Sequence, residues 1–324
     1  VISIYTLPDE NNWNGRIDDA GNPLSFRFHQ VVRLKSVKEL STFTGKKTFG
    51  MIGFKCDEGV RRNGGRIGAA AAPDEIRKQL SKLPYHMKAE IVDAGDVVCE
   101  DKELEKAQSE LGHCLNKLFA HSYIPIIIGG GHETLYGHYL GVRQFFGANK
   151  SLGIINIDAH FDLRTDDTPS SGTMFRQILS EDENAGYLCL GIQKFGNTKQ
   201  LFAEASKYNG KYVSEEEITQ YDRTFQVIDE FSSQYDYVIA TLCTDSISSS
   251  EAPGVSAPSP FGLDPRVVRT ILRYIIEKDN TLSFDLSEVN PLFDIDDRTS
   301  KLGAYLLAEV MESFDKKCGK IHSE

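Results

Sequence analysis

A mainly parallel β-sheet covered by helices is the fold class the sequence predicts, and two observations predict it. Short apolar runs alternate with longer segments of helical periodicity, the rhythm of repeated β-α units. Polar and ionisable residues gather where four of those runs end, and open α/β sheets bind ligands at the carboxyl ends of their strands. Taken in order, the strand candidates begin with TFGMIGF at 48–54 and AEIVDAGDV at 89–97. Residues 99–122 follow with apolar side chains at 104, 107, 111, 115 and 118, a helical spacing. The next apolar runs are IPIIIGG at 124–130, LGIINID at 152–158, YLCLGIQ at 187–193 and YVIATLCTD at 237–245. DPRVVRTILRYIIEKD at 264–279 is again helical in period, and TLSFDLSEV at 281–289 is the last strand candidate. No internal repeat and no linker rich in Pro, Gly or Ser divides the chain. The expected organisation is an irregular N-terminal extension at 1–45 and a single α/β domain at 46–324.

The chain has 324 residues, a size that large α/β folds reach without dividing. Lys plus Arg number 36 and Asp plus Glu 47, a formal charge of −11. That balance excludes a nucleic-acid or anionic-membrane surface as the main partner and leaves room for a local basic pocket. No stretch approaches the ~20 apolar residues of a transmembrane helix, and VISIYTLPDENNWNG turns polar too early for a signal peptide. Six scattered cysteines, at 56, 99, 114, 189, 243 and 318, contain no CxxC. Reduced thiols in a cytoplasmic setting are the expectation.

IDAHFDLR at 157–164 carries the chemistry. Asp158, His160 and Asp162 are two residues apart, so a continuing strand would turn all three to one face. Ionisable groups leaving a buried strand are costly unless something neutralises them. A divalent cation does so, and two carboxylates with an imidazole suit one. The alternative is an exposed loop whose acids cap the next helix. A second strand exit, IIIGGGHETLYG, supplies His132 directly after three glycines, although alone it reads as a structural histidine. A third, TLCTDSISSSEAPGVSAPSP, supplies Cys243 and Asp245; separately these read as a small buried hydrophobe and a turn acid.

Together these blocks resemble the ureohydrolase superfamily of arginase, agmatinase and formimidoylglutamase. GGGHE (129–133), DAHFDLR (158–164), SSGTMF (170–175), TDSISSSEAPGVSAPSP (244–260) and SEVNP (287–291) stand in the family's order. WNGRIDD, FHQVV and GFKCDEGVRRNGGRIGAA resemble the formimidoylglutamase branch in particular. The resemblance implies a three-layer α/β/α arginase-like fold and two Mn²⁺ ions bridged by hydroxide. It implies that His132 and Asp162 ligate one ion, His160 and Asp245 the other, and Asp158 both. Cys243 stands where the family usually has a second bridging Asp. Mn²⁺ is hard and prefers oxygen, so two ions are expected with one held weakly.

The resemblance further implies hydrolysis of N-formimidoyl-L-glutamate to L-glutamate and formamide, a step in histidine breakdown. Asp162 would pass a proton to the leaving amine, and Glu288 would pair with the amidinium; the alternative for Glu288 is an acid paired with a nearby Lys or Arg. A substrate with two carboxylates needs cationic groups in its pocket. Arg164 is the leading carboxylate binder, with Ser171 adding a hydroxyl, against the alternative that Arg164 pairs with Asp166 or Asp167. Arg61, Arg62 and Arg66 form a weaker candidate rim. Another ureohydrolase (an agmatinase or guanidino-acid hydrolase) and a metal-poor non-catalytic relative, suggested by Cys243, are the competing readings. A Cys56–Cys243 disulfide blocking metal loading is a further expectation, while Cys189 reads as core. Relatives form rings of several subunits, so a homo-oligomer is also expected.

Overall fold

Continuous apolar runs bounded by polar turns form strands that are buried on both faces, as parallel sheets require. The structure, a computed structural model, describes residues 4–42 and 45–317. Its strands are β1 (Tyr5–Thr6), β2 (Arg33–Leu34), β3 (Thr48–Lys55), β4 (Glu90–Val98), β5 (Ile124–Ile128), β6 (Leu152–Ile157), β7 (Ala185–Ile192), β8 (Lys211–Ser214), β9 (Tyr237–Cys243) and β10 (Thr281–Ser287). They form one ten-stranded sheet in the order β1-β4-β3-β5-β10-β9-β6-β7-β8, with β2 also on β4. Every pairing is parallel except β1 with β4.

The α-helices are α1 (Phe28–Val31), α2 (Glu58–Arg62), α3 (Ala72–Leu80), α4 (Leu104–Ala120), α5 (Thr134–Phe146), α6 (Met174–Glu181), α7 (Lys199–Lys207), α8 (Tyr221–Ser232), α9 (Pro265–Ile276) and α10 (Arg298–Lys316). Alternate residues of each strand divide the core. Ile126, Ile155, Leu242 and Phe284 pack with α3, α8, α9 and α10 on one face. Ile127, Ile154, Cys189 and Ile239 pack with α4, α5, α6 and α7 on the other. This is the three-layer α/β/α arrangement. Cys189 is core, as expected. Among the described residues no helix is long and apolar enough to cross a membrane.

Residues 4–42 lie along the β4 edge in short pieces. The Trp13 indole N–H donates to Asp93 Oδ2 at 2.8 Å, and the Tyr5 hydroxyl donates to the Ala94 carbonyl at 2.7 Å. Asp93 in turn accepts from the fully buried Arg77, which also binds the Gly95 carbonyl at 2.9 Å and pairs with Asp96.

All seven expected strands form. Three were not foreseen: β1 and β2 have two residues each, and β8 is an edge strand whose Lys211 and Tyr212 are exposed. The layout fixes where chemistry can occur. β5, β10, β9 and β6 are consecutive neighbours, all parallel, so their carboxyl ends open side by side.

Candidate active site

His132 follows β5 by way of three glycines. A Cβ on Gly130 would stand 1.7 Å from the Cys56 carbonyl oxygen, and one on Gly131 would stand 2.1 Å from Glu133 Oε2. Glycine is required here for close approach between the β5 and β3 exits, rather than for an unusual dihedral. Glu133 completes that junction: it is fully buried and accepts from the Gly59 N–H at 2.8 Å and from the Cys56 thiol at 3.6 Å. Burial pushes its carboxyl up to about 7.

The strand rationale for Asp158, His160 and Asp162 does not survive, because β6 ends at Ile157. Past it the chain is a loop, and Asp162 has φ 50°. The three side chains nevertheless converge, through that loop's own bonds. Asp158 Oδ1 accepts from the His160 N–H at 2.8 Å, and Asn197 Oδ1 accepts from the Phe161 N–H at 2.9 Å. Glu288 is also left-handed, at φ 69°, with its N–H donating to the Gly130 carbonyl at 2.8 Å. Such conformations cost an L-residue about 1–2 kcal/mol and concentrate at functional sites.

The convergence is close. His132 Nδ1 lies 3.1 Å from Asp158 Oδ2 and 2.9 Å from Asp162 Oδ2. His160 Nδ1 lies 3.4 Å from both Asp158 Oδ1 and Asp245 Oδ2. The Cys243 thiol donates to Asp245 Oδ1 at 2.9 Å. Glu288 Oε1 accepts from the His132 N–H at 2.8 Å. Phe175 braces the imidazole of His132 edge-on, with centroids 5.8 Å apart, and itself stacks on Tyr187 at 4.0 Å.

The electrostatics show what is missing from a neutral balance. Asp158, Asp162, Asp245 and Glu288 bring four carboxyl groups together against two imidazoles. Burial opposes charge on His132, yet Asp158 and Asp162 hold its pKa well above 6.5. Burial opposes charge on His160 too, and Asp245 and Asp158 raise it in the same way. Asp158 stays well below the usual carboxylate range despite its burial, because both histidines bond to it. Burial and the charge of Asp158 push Asp162 up to about 6. Burial, with Asp245 and Glu133 nearby, raises Glu288 well above its ordinary value. Burial and four surrounding acids keep Cys243 a thiol.

Donor geometry fits metal. His132, Asp158 and Cys243 present donor atoms within 4.8 Å of one another, and so do Asp158, His160 and Asp245. The two trios share Asp158, one of whose oxygens faces each histidine. A cluster with surplus buried carboxylate and a shared bridging acid suits a pair of divalent cations. Asp162 stands beside the first trio through His132.

Above the cluster opens a cavity of about 180 Å³, lined by His132, His160, Asp162, Cys243, Asp245 and Glu288 below and by Arg164, Ser171, Asn63 and Ser256 on its walls. Arg164 reaches it while its Nε donates to Asp166 Oδ2 at 2.8 Å, so the surface pair and the pocket position coexist. Arg61, Arg62 and Arg66 do not form a cationic rim. Arg61 and Arg62 pair with Glu58, Arg62 also with Glu105, and Arg66 binds Ser256 and Val255 carbonyls over the Phe293 ring. The same loop supplies Asn63 instead, whose amide donates to Ser171 Oγ at 3.2 Å. Sequence reading passed over Asn63 because three neighbouring arginines carried the stronger charge signal. The five described cysteines are free. Cys56 faces Cys99 and Glu133 rather than Cys243, and Cys318 lies outside the described residues.

The match of residues 47–312 to the arginase family model agrees with this fold and site, and the chain belongs to the arginase family. It is 51% identical over 319 residues to the formimidoylglutamase of Geobacillus sp. (strain WCH70), spanning 97% of this chain and 98% of that one. Among solved structures it is similar to the formimidoylglutamase of Bacillus subtilis, at TM-score 0.77 and 25% identity over 93% of this chain and 97% of that one. A variant of Trypanosoma cruzi formiminoglutamase solved with Mn²⁺ matches at TM-score 0.76 and 25% identity, over 87% of this chain and 97% of that one.

Proposed function

We propose that this protein hydrolyses N-formimidoyl-L-glutamate to L-glutamate and formamide, using two Mn²⁺ ions. The observation that carries the reading is near-full-length identity of 51% to a formimidoylglutamase. His132, Asp162 and Cys243 would hold one ion, His160 and Asp245 the other, with Asp158 between them. A manganese pair in such a site supplies Lewis acidity and hydroxide near neutral pH.

The remaining work falls to the chain's own residues. Glu288, at the cavity floor, accepts the amidinium N–H groups and turns the formimidoyl carbon toward the cluster. Hydrolysis adds water across that carbon and breaks its bond to the glutamate nitrogen, which must leave as an amine. Asp162, whose carboxyl lines the cavity beside His132, would carry that proton to the departing nitrogen. Arg164 and Ser171 at the mouth receive the substrate's carboxylates, the Arg164 fork through its remaining N–H groups. Five free cysteines among the described residues support a reducing, cytoplasmic setting. The catalytic unit is taken as 46–324 with residues 1–45 as an N-terminal extension, and a homo-oligomer belongs to the same reading.

The test supplies Mn²⁺ and compares N-formimidoyl-L-glutamate with arginine, agmatine and guanidino acids. Formamide release far exceeding urea release is expected. Urea release outpacing formamide release would overturn the substrate assignment.

A further inference from the structure

Asp285 is a wholly buried acid in the middle of the sheet, and none of the chemistry above uses it. It sits on β10 directly opposite Thr241 of β9, and Thr241 is in turn opposite Asn156 of β6. These positions alternate with the apolar row facing α9 and α10, so their side chains point toward the α5 layer. Both oxygens of Asp285 are taken. Oδ1 lies 2.6 Å from Thr241 Oγ1, and Oδ2 lies 2.7 Å from Nδ1 of His138, a buried histidine on α5. Thr241 Oγ1 also lies 3.1 Å from His132 Nε2, and His138 Nε2 lies 2.6 Å from Ser283 Oγ.

The polarity of this chain of bonds follows from counting protons. A carboxylate only accepts, so the single hydroxyl proton of Thr241 goes to Asp285. Thr241 Oγ1 can then only accept from His132, which places a proton on His132 Nε2. A neutral His132 therefore has a bare Nδ1, and Nδ1 is the atom facing Asp158 and Asp162. By the same count His138 Nδ1–H donates to Asp285, and in a neutral His138 the Ser283 hydroxyl donates to Nε2.

We propose that Thr241, Asp285 and His138 are positioning residues that fix the tautomer and orientation of His132, so that its Nδ1 lone pair is presented to a divalent cation. The inference rests on the manganese reading above. Outer partners of this kind usually hold ligating histidines in one tautomer.

The test measures Mn²⁺ binding to the full chain by equilibrium dialysis, with thermal melting alongside. Thr241→Val keeps the shape and removes the hydroxyl, and should weaken Mn²⁺ binding about tenfold or more, while Thr241→Ser should stay within about threefold of the parent. Asp285→Asn keeps one accepting oxygen. Where it serves His138 Nδ1–H, the N–H₂ faces Thr241 and the histidine proton is pushed toward His132 Nδ1. Where it serves Thr241, His138 changes tautomer and the presentation of His132 survives. The deciding comparison is therefore Thr241→Val against Thr241→Ser, and Mn²⁺ loss in Asp285→Asn adds to it. A structural role alone would lower the melting temperature of Thr241→Val and Asp285→Asn and leave Mn²⁺ affinity unchanged; that result overturns the inference without touching the proposed reaction. A parent chain that takes up no Mn²⁺ overturns both.

Discussion

Glu288 is held in an expensive state. It is buried, its backbone is left-handed, and Asp245 and Glu133 press on it with like charge. Among the described residues its carboxyl accepts the His132 N–H, a bond that does not require a charged group. The proposed reaction accounts for a carboxyl in that setting: an amidinium entering the cavity would meet it and favour its charged form. Replacing Glu288 with Gln keeps the shape and an acceptor but removes the ion pair, a loss of about 1.5–3 kcal/mol, or roughly ten- to a hundredfold in kcat/KM. Because the same change relieves repulsion among buried acids, the melting temperature of the metal-free variant should hold or rise. Steady-state kinetics with calorimetry on Glu288→Gln checks both, and unchanged kcat/KM would contradict the role. Cys243 is the other residue whose identity matters at this scale. It occupies a donor position beside His132 and Asp158 with a soft atom, and burial together with the neighbouring acids keeps it a thiol.

Between elements, histidines do the joining. His132 ties the β5 exit to the loop 158–162, and His160 ties that loop to the β9 exit through Asp245. Without metal, both bridges are imidazolium to carboxylate. Both histidine pKa values are raised above 6.5, so the folded state binds these protons more tightly than the unfolded chain. Their stabilisation is full below the unfolded imidazole pKa and is lost as pH rises through the raised folded values. Metal-free protein should thus melt at progressively lower temperature as pH climbs above about 6.5, each unit of raised pKa corresponding to about 1.4 kcal/mol. Saturating Mn²⁺ should flatten that slope, because cations replace the protons. Melting curves across pH with and without Mn²⁺ decide it, and a metal-free slope of opposite sign would contradict it. The central strands were legible in the sequence because residues such as Ile126 and Ile154 are buried on both faces and leave an unbroken apolar run. β8 was not, since an edge strand needs only Val213 inside. Strand alternation groups Asp158, His160 and Asp162 in the sequence, whereas in the structure the strand ends at Ile157 and a left-handed turn at Asp162 brings the three together.

At the scale of the molecule, strand order makes the site. Segments far apart in sequence, ending at Ile128, Ile157, Cys243 and Ser287, become four adjacent parallel strands, and their exits pool six metal-binding candidates and Glu288 in one place. Motif spacing could name those residues. It could not reveal Asn63 on the facing wall, or the Thr241–Asp285 pair beneath, because both depend on register and packing between distant strands and loops. Surplus acid runs through the whole picture, from a formal charge of −11 to four carboxyl groups, three of them buried, around two imidazoles. Crystals of the protein grown at saturating Mn²⁺ and measured at the manganese absorption edge test this most directly. Two anomalous peaks are expected, one beside Asp158, His160 and Asp245 and a weaker one beside His132, Asp158 and Cys243. A single peak, or none, would contradict a paired-manganese centre.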